Sequence, residues 1–488
     1  MSKPISFLTN IKSNYFRTII LAILGFVSTV IFSRTLGANL FGVYMYYTWL
    51  ISTITLLLNF GFEGTITKFL PEYYYKNKAT HSSSLISYII TKQIKVIIFG
   101  SILLIAAYPF LTTFGKINDI KFSFYILIIV IISPMMIMSI TVSTIQALQR
   151  FDIFAKVNVT FQIITISINS VISFKYQNII AMLGVIGITS LLQVIIYFKN
   201  IKTLLPDLKI QMGFNILKKD LKRIKNYAKY MYINIIWQQI VWNKSEFLFL
   251  SLYSSPKELA IYGLAYSLIS IINYAISPIM SIVNNYFSKF VALNETKTLT
   301  TLINSISKYF VIVLIFIFTY AVLFSDSILT LIYTNEYTGV VTVFLLLLFG
   351  TVVSKILNVS SSLPFYFEKQ KVIINLGILS GILNIVLDIA LIPKYGAIGA
   401  ATASTISQVF FSVVQFAYTK HLIKVIFPFV TLFKVIFVNT LVFISLFNVE
   451  NNVLLIIYSI ITIPFYLLIL IAFKVIDIDE IKKLINNN

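Results

Sequence analysis

The sequence predicts an all-α integral membrane protein of about fourteen transmembrane helices. These form two six-helix lobes related by a parallel internal repeat, plus two C-terminal helices. Composition is the first reason. Of 488 residues, 58% are hydrophobic and 11% charged, with mean hydropathy +0.91, whereas soluble domains are about half apolar and a quarter charged. The second is that apolar runs of about 20 residues, enough to cross a bilayer, recur along the whole chain. The third is the sorting of charge. With fourteen spans and the N-terminus in the cytoplasm, about 28 of the 38 Lys and Arg fall in cytoplasmic segments and about six outside.

The first lobe, residues 1–198, holds spans at about 15–33, 40–60, 84–110, 121–145, 154–174 and 179–198. Residues 199–229 follow as a cytoplasmic loop carrying Lys199, Lys202, Lys209, Lys218, Lys219, Lys222, Arg223, Lys225 and Lys229, too polar to sit in hydrocarbon. The second lobe, 230–420, holds spans at about 230–252, 258–283, 308–332, 339–361, 372–392 and 397–418. Residues 421–488 supply spans at about 426–447 and 452–473 and a cytoplasmic tail. Both termini are expected in the cytoplasm, and Met1–Asn14 reads as a cytoplasmic start, not a cleaved signal peptide.

Net charge +21 would point to nucleic acid in a soluble chain, but here it is cytoplasmic loop charge, and no nucleic-acid partner is expected. With no cysteine there are neither disulfides nor thiolate metal sites, and His81 and His421 lie too far apart to form a histidine cluster. No metal and no cofactor is expected beyond a coupling H+ or Na+. External loops are too short for a catalytic domain, so the chain is not read as an enzyme.

Short echoes mark the repeat. Val43-Tyr44 and Leu50-Ile51-Ser52 return as Ile261-Tyr262 and Leu268-Ile269-Ser270, Lys175-Tyr176 returns as Lys394-Tyr395, and Gln193-Val194 as Gln408-Val409. An even number of helices separates the copies, so they run parallel, and such proteins hold substrate between halves.

Ser33-Arg34-Thr35-Leu36-Gly37 with Phe41-Gly42-Val43-Tyr44, the stretch Leu391–Ala401 around Pro393-Lys394-Tyr395-Gly396, and Asn243–Leu250 resemble the polysaccharide transporter (O-antigen flippase) family. That family belongs to the multidrug/oligosaccharidyl-lipid/polysaccharide exporter superfamily. The resemblance implies a two-lobed cavity, alternating access and a polyprenyl-pyrophosphate oligosaccharide as cargo. It also implies residence in the cell membrane, with polysaccharide polymerase and glycosyltransferases as partners. Physically, Gly37 and Gly42 permit a tight turn, Pro393 stops a helix, and Gly396, Gly399 and Ala400 allow close packing.

Ionisable groups inside spans cost about 2.5–3.5 kcal/mol on insertion scales, so each needs a partner, an aqueous cavity or a function. Tyr88, Lys92 and Lys95 share a helix face, facing either an anionic cargo or the cytoplasmic interface by snorkelling. Lys355 shares a stripe with Thr351, Asn358 and Ser362, which predicts a hydrated interior surface. Lys244 and Glu246 point to different sides of one helix, Lys244 toward cargo and Glu246 to an ion pair or a coupling proton. Asp388, one turn from Asn384, binds Na+ or H+, or else serves as a cap or pairs with Lys394. Arg34 is an interfacial anchor or a phosphate contact. Arg17 and Lys68 join Lys92, Lys95 and Lys355 as candidate pyrophosphate ligands, since lysine is a flexible point-charge binder of phosphate. The prenyl tail would lie along helices thirteen and fourteen. The rival readings are a multidrug/cation antiporter of the same fold and a flippase for peptidoglycan lipid precursors.

Overall fold

The computed structural model describes residues 7–75, 79–114, 122–206, 218–242, 245–367, 369–447 and 466, and all regular structure among them is helical. Nine helical stretches among the described residues are long and apolar enough to cross a membrane. Packing divides the chain into two units, Met1–Gly263 and Leu264–Asn488.

The first unit opens with α1 (Phe7–Leu57), which contains the first two expected spans because the chain doubles back at Gly37 (φ 71, ψ 170). In a straight helix Phe32 and Tyr44 would stand about 18 Å apart; their ring centroids lie 5.6 Å apart. Only a residue without Cβ takes that backbone conformation readily. Gly42 serves differently. It is helical, and a Cβ there would fall on the carbonyl of Pro256.

After a break at Leu58–Gly61 come α2 (Phe62–Tyr75), α3 (Ala79–Phe114), α4 (Phe122–Ala147), α5 (Phe151–Lys175) and α6 (Ile179–Leu204). The expected second span, 40–60, thus ends at a backbone break and not at a loop. The interior is formed by Ile66, Phe69, Leu70, Leu85, Ile89, Ile140 and Tyr197 at one level and by Ile51, Ile131, Met136 and Leu183 at another. Gly187 lets α6 approach Ile131 on α4, where an added Cβ would meet its side chain at 3.0 Å. α7 (Lys218–Trp242) and α8 (Ser245–Tyr253) complete the seventh span, and Lys244 between them lies outside the described residues.

α9 (Pro256–Ala292) and α10 (Thr296–Ile332) have 37 residues each, about 55 Å of helix against a hydrocarbon core of about 30 Å. Hydropathy registers only their apolar parts, which is why the expected spans began late or stopped early. α11 (Val340–Leu357) gives way to a 3-10 turn (Asn358–Ser360) and the short α12 (Leu363–Tyr366). α13 (Gln370–Leu422) doubles back at Gly396 (φ 52, ψ −128), where a Cβ on Gly399 would sit 2.5 Å from the Leu391 oxygen. The Lys-Tyr echo extends to the backbone: Gln177 after Lys175-Tyr176 is also left-handed, φ 47. α14 (Phe429–Phe447) is the thirteenth expected span; the fourteenth, apart from Tyr466, lies outside the described residues.

Hydroxyls in these apolar helices bond their own backbone, as they must without water. Thr144 Oγ1 donates to Ile140 O at 2.8 Å and Thr419 Oγ1 to Gln415 O at 2.9 Å. Across helices, Thr405 Oγ1 donates to Leu346 O at 2.9 Å beside Gly350, drawing α13 onto α11.

Candidate functional site

The sequence Lys355-Ile-Leu-Asn358-Val-Ser-Ser-Ser362-Leu-Pro364 cannot continue a helix. Three serines compete for backbone bonds, and Pro364 fixes the start of α12. The resulting turn opens a polar cavity of about 700 Å³ in the second unit. Lys355, Asn358, Ser361 and Ser362 line it together with Asn284 of α9 and Gln415 of α13, and Phe310, Phe365 and Phe411 form apolar patches. Thr351, expected on the same wall, is 2% exposed and lies behind it.

The amides are held in place. Asn358 Nδ2 donates to Ser412 Oγ at 2.9 Å and Ser354 Oγ at 3.2 Å, Gln415 Nε2 to Ser361 O at 2.9 Å, and Ser362 Oγ to Asn284 Oδ1 at 2.6 Å. Among the described residues no acidic side chain lines the cavity, so of these the Lys355 ammonium meets only neutral dipoles. Such a site attracts an anion and can bond hydroxyl groups. It offers nothing to a cation.

The opposite face of the same helix borders a second cavity. Val352, Val353, Ile356 and Leu357 meet Ile315, Phe318 and Val322 of α10 and Leu432, Ile436 and Phe443 of α14 around an apolar groove of about 550 Å³. A single helix therefore separates a charged polar pocket from a groove suited to hydrocarbon.

The other predicted residues among those described are not part of this cavity's lining. In the first unit, Lys92 is half-buried with its ammonium 5.8 Å from the Tyr88 ring, Lys95 is exposed beside Ile98, Phe99 and Ile102, and Tyr88 is buried. The three therefore do not share one environment. The Arg17 guanidinium lies 4.4 Å over Phe154, and Lys68 lies 3.9 Å over the Tyr227 ring. Arg34 is exposed just before the Gly37 turn, and Glu246 is buried on α8. In the second unit, Asp388 is fully buried and accepts from Asn384 Nδ2 at 3.3 Å. Among the described residues no three of His, Asp and Glu converge as a metal site.

Sequence reasoning passed over the break before α2. Phe60 (φ 51) and Gly61 (φ 74) are both left-handed there. Buried Asn59 bridges the break: its Nδ2 donates to Glu63 Oε1 at 2.7 Å and Ser139 Oγ at 2.9 Å, and its Oδ1 accepts from Glu63 N at 3.3 Å. An Asn-x-x-x-Glu pair next to Phe-Gly in an apolar run was the available signal.

Helix α7 docks along the same element. Phe60 stacks on Tyr232 with centroids 4.6 Å apart, Phe69 meets Tyr227 edge-on at 5.5 Å, and Arg223 forms a bidentate pair with Glu72, both bonds 3.1 Å. Arg223 is exposed, so Arg223→Ala is expected to lower the melting temperature only slightly. The difference between the two proteins should vanish in about 1 M salt, where the Debye length is about 3 Å. Thermal melts of both proteins at low and high salt check this.

The family model described as polysaccharide biosynthesis protein matches residues 7–291. No curated protein matches the chain significantly. Among solved structures, a lipid II flippase MurJ in an inward closed conformation is similar at 18% identity, covering 96% of this chain and 98% of that one, with TM-score 0.75. An inward-facing MATE-family multidrug transporter of the MOP superfamily is similar at 11% identity over 83% of this chain and 94% of that one, TM-score 0.61. The eukaryotic MATE transporter AtDTX14 is similar at 14% identity over 84% and 95%, TM-score 0.54. At such identities the likeness is one of fold. The family match spans more than half of the sequence, and the chain accordingly belongs to the polysaccharide biosynthesis protein family.

Proposed function

We propose that the protein is a flippase that moves a polyprenyl-pyrophosphate-linked oligosaccharide, such as an O-antigen or other surface-polysaccharide repeat unit, from the cytoplasmic to the outer leaflet by alternating access. The observation that carries this reading is the pair of cavities on opposite faces of α11. A lipid-linked glycan is both anionic polyol and long hydrocarbon, and the two cavities offer a matching chemistry each. Lys355 with its amides and serines receives the polar part, α10 and α14 shelter the prenyl chain, and Lys92 and Lys95 meet the pyrophosphate as it enters. Arg17, Lys68 and Arg34 contribute positive potential near the path, Lys244 supplies a further cation, and Glu246 and Asp388 are left for ion coupling.

Cation export by the same fold is the poorer reading, because no carboxylate lines the polar cavity among the described residues to receive a cation. A peptidoglycan lipid precursor shares the pyrophosphate and the prenyl chain, so head-group competition distinguishes it.

The test is translocation of a fluorescent polyprenyl-pyrophosphate oligosaccharide in sealed proteoliposomes. Wild type is expected to move it, and Lys92→Ala/Lys95→Ala to slow capture. Val353→Trp, which fills the groove, is expected to reduce transport of the long-chain cargo at least tenfold while sparing a short-chain analogue. Equal loss for both chain lengths would remove the groove from the mechanism. Wild type that exports a cationic dye and moves no lipid would establish the antiporter instead.

A further inference from the structure

Helix α7 docks on α2 by one face, and that docking fixes which of its residues point away. Ile224 is 1% exposed, in the core cluster that also holds Phe69, Phe154 and Leu205. Tyr227 meets Phe69, a Cβ on Gly61 would stand 2.5 Å from Ala228 O, and one on Gly64 would stand 2.5 Å from Met231 Cε. At about 100° per residue, Ile224, Tyr227, Ala228 and Met231 mark one side of the helix. Lys222, Lys225, Asn226, Lys229 and Ile233 fall on the opposite side, and all five are exposed.

The outward side is ordered along its axis. The lysines come first, then Tyr230, 72% exposed, then Ile233, 52% exposed. About 10 Å of helix carries the three cations, and Ile233 lies about one turn, roughly 6 Å, beyond the last of them. A face turned wholly to water has no reason to expose tyrosine and isoleucine next to its lysines. Charge, aromatic ring and apolar side chain in that order match headgroup, interface and hydrocarbon. Lysine stems can lie along the apolar boundary while their ammonium groups reach the headgroups.

The charges also require a partner outside the helix. Lys222 and Lys225 stand three apart and Lys225 and Lys229 four apart, spacings at which like charges on a helix repel. Lys218 and Lys219 open α7 at the end its dipole makes positive. The one acid of α7 is Asp220, on the side of Tyr227 and Met231, and Glu72 of α2 is held by Arg223. Neighbouring helices add charge of the same sign. Lys156 of α5 and Lys199 and Lys202 of α6 are exposed where those helices join the same core cluster through Phe154 and Ile201.

We propose that the outward face of α7 is a binding surface for anionic phospholipids, with Lys222, Lys225 and Lys229 on the headgroups and Tyr230 and Ile233 on the glycerol and upper chains. Bound headgroups offset the repulsion along α7 and hold the helix against α2 from outside, as Phe60, Phe69 and Glu72 hold it from inside. Each lysine close to an anionic surface contributes roughly a fivefold preference, so three acting together select an anionic lipid from a mixed bilayer. The surface uses none of the residues that line the two cavities beside α11 and does not depend on which cargo is moved.

The test uses the full chain in nanodiscs of phosphatidylcholine with about one-fifth phosphatidylglycerol, an anionic lipid. The sequence has no cysteine, so Asn226→Cys can carry a single photoactivatable cross-linker on the outward face among the lysines. Ile188→Cys, 62% exposed in the apolar middle of α6, is the reference site. Mass spectrometry counts which lipid is joined at each. Phosphatidylglycerol is expected at Asn226→Cys several-fold above its share of the bilayer, and at Ile188→Cys in proportion to that share. The excess should fall in about 1 M salt, where the Debye length is about 3 Å, and drop to the reference level in Lys222→Gln/Lys225→Gln/Lys229→Gln. No lipid at Asn226→Cys, labelling in proportion to the bilayer, or an excess that survives the triple substitution overturns the proposal. So does displacement of the lipid by soluble glycerol phosphate, which would make a free phosphoester the occupant. The three lysines are exposed, so the triple variant should melt in pure phosphatidylcholine nanodiscs as the parent does. Should it not fold, Lys229→Gln alone must lower the excess, and an unchanged excess overturns the proposal equally.

Discussion

Lys355→Met is expected to abolish most cargo binding while leaving the fold at least as stable as before. The two effects separate because of where the ammonium sits. It lines a cavity walled by amides, hydroxyls and phenyl rings, with no carboxylate among the described lining residues. A structural lysine would have an acid partner, and its removal would strand that acid at a cost of several kcal/mol. Here the substitution removes a partly buried charge that strands no described carboxylate, and the long apolar side chain fills the same space. A hydrogen bond to a charged group contributes about 1.5–3 kcal/mol, so affinity for a pyrophosphate-linked glycan should fall roughly 10- to 150-fold. Equilibrium binding of fluorescent cargo and a thermal melt on the same preparation measure both. A fall in melting temperature matching the loss of binding would return Lys355 to a structural role. Lys355→Arg should retain part of the affinity, since it keeps the charge and changes the shape.

Much of the fold was legible because the bilayer imposes a simple code. Apolar length marks a span, and the sorting of Lys and Arg gives an expected orientation. Small residues mark turns, and Gly37 and Gly396 are both left-handed in the structure. What the code missed shares one physical cause. Helices do not stop at the membrane surface, so hydropathy cannot report that α9 and α10 run about 55 Å. Nor does it register a break inside an apolar run, such as Leu58–Gly61, where side-chain bonds replace water as partners for the freed backbone groups. The polar stripe on α11 was readable from spacing alone at Lys355, Asn358 and Ser362. Asn284 and Gln415, which complete the cavity wall, come from helices far away in sequence and left no local signal. The spacing of Tyr88, Lys92 and Lys95 placed them on one face, but α3 buries the first and exposes the last. Angular position on a helix does not say how high along it the neighbours reach.

Gly42→Ala is expected to be the most damaging single methyl in the first unit. A Cβ at this position falls on the backbone oxygen of Pro256, with the carbonyl carbon only 2.6 Å away. A side chain could rotate out of the way; a carbonyl at the start of a helix cannot. Relief requires shifting the N-terminus of α9 away from α1, and that start is anchored nearby. Gly263 on the same helix lies tight against Met45 of α1, with Phe247 also in contact, and Phe247 in turn meets Tyr262 edge-on at 5.8 Å and Trp49 of α1 at 6.0 Å. Overpacking of a dense interior costs about 1–3 kcal/mol, and a backbone collision belongs at or above the top of that range. Gly25→Ala, on the same helix α1, provides the control, because a Cβ there meets nothing within 4 Å. Alanine is the better helix former by roughly 1 kcal/mol, so this second substitution should be neutral or mildly stabilising. The pair predicts opposite signs for one chemical change, read as melting temperatures of the purified proteins in one detergent. Equal and small shifts would mean that α9 yields at Pro256 without resistance, and that the close approach of the two helices contributes little to holding this unit together.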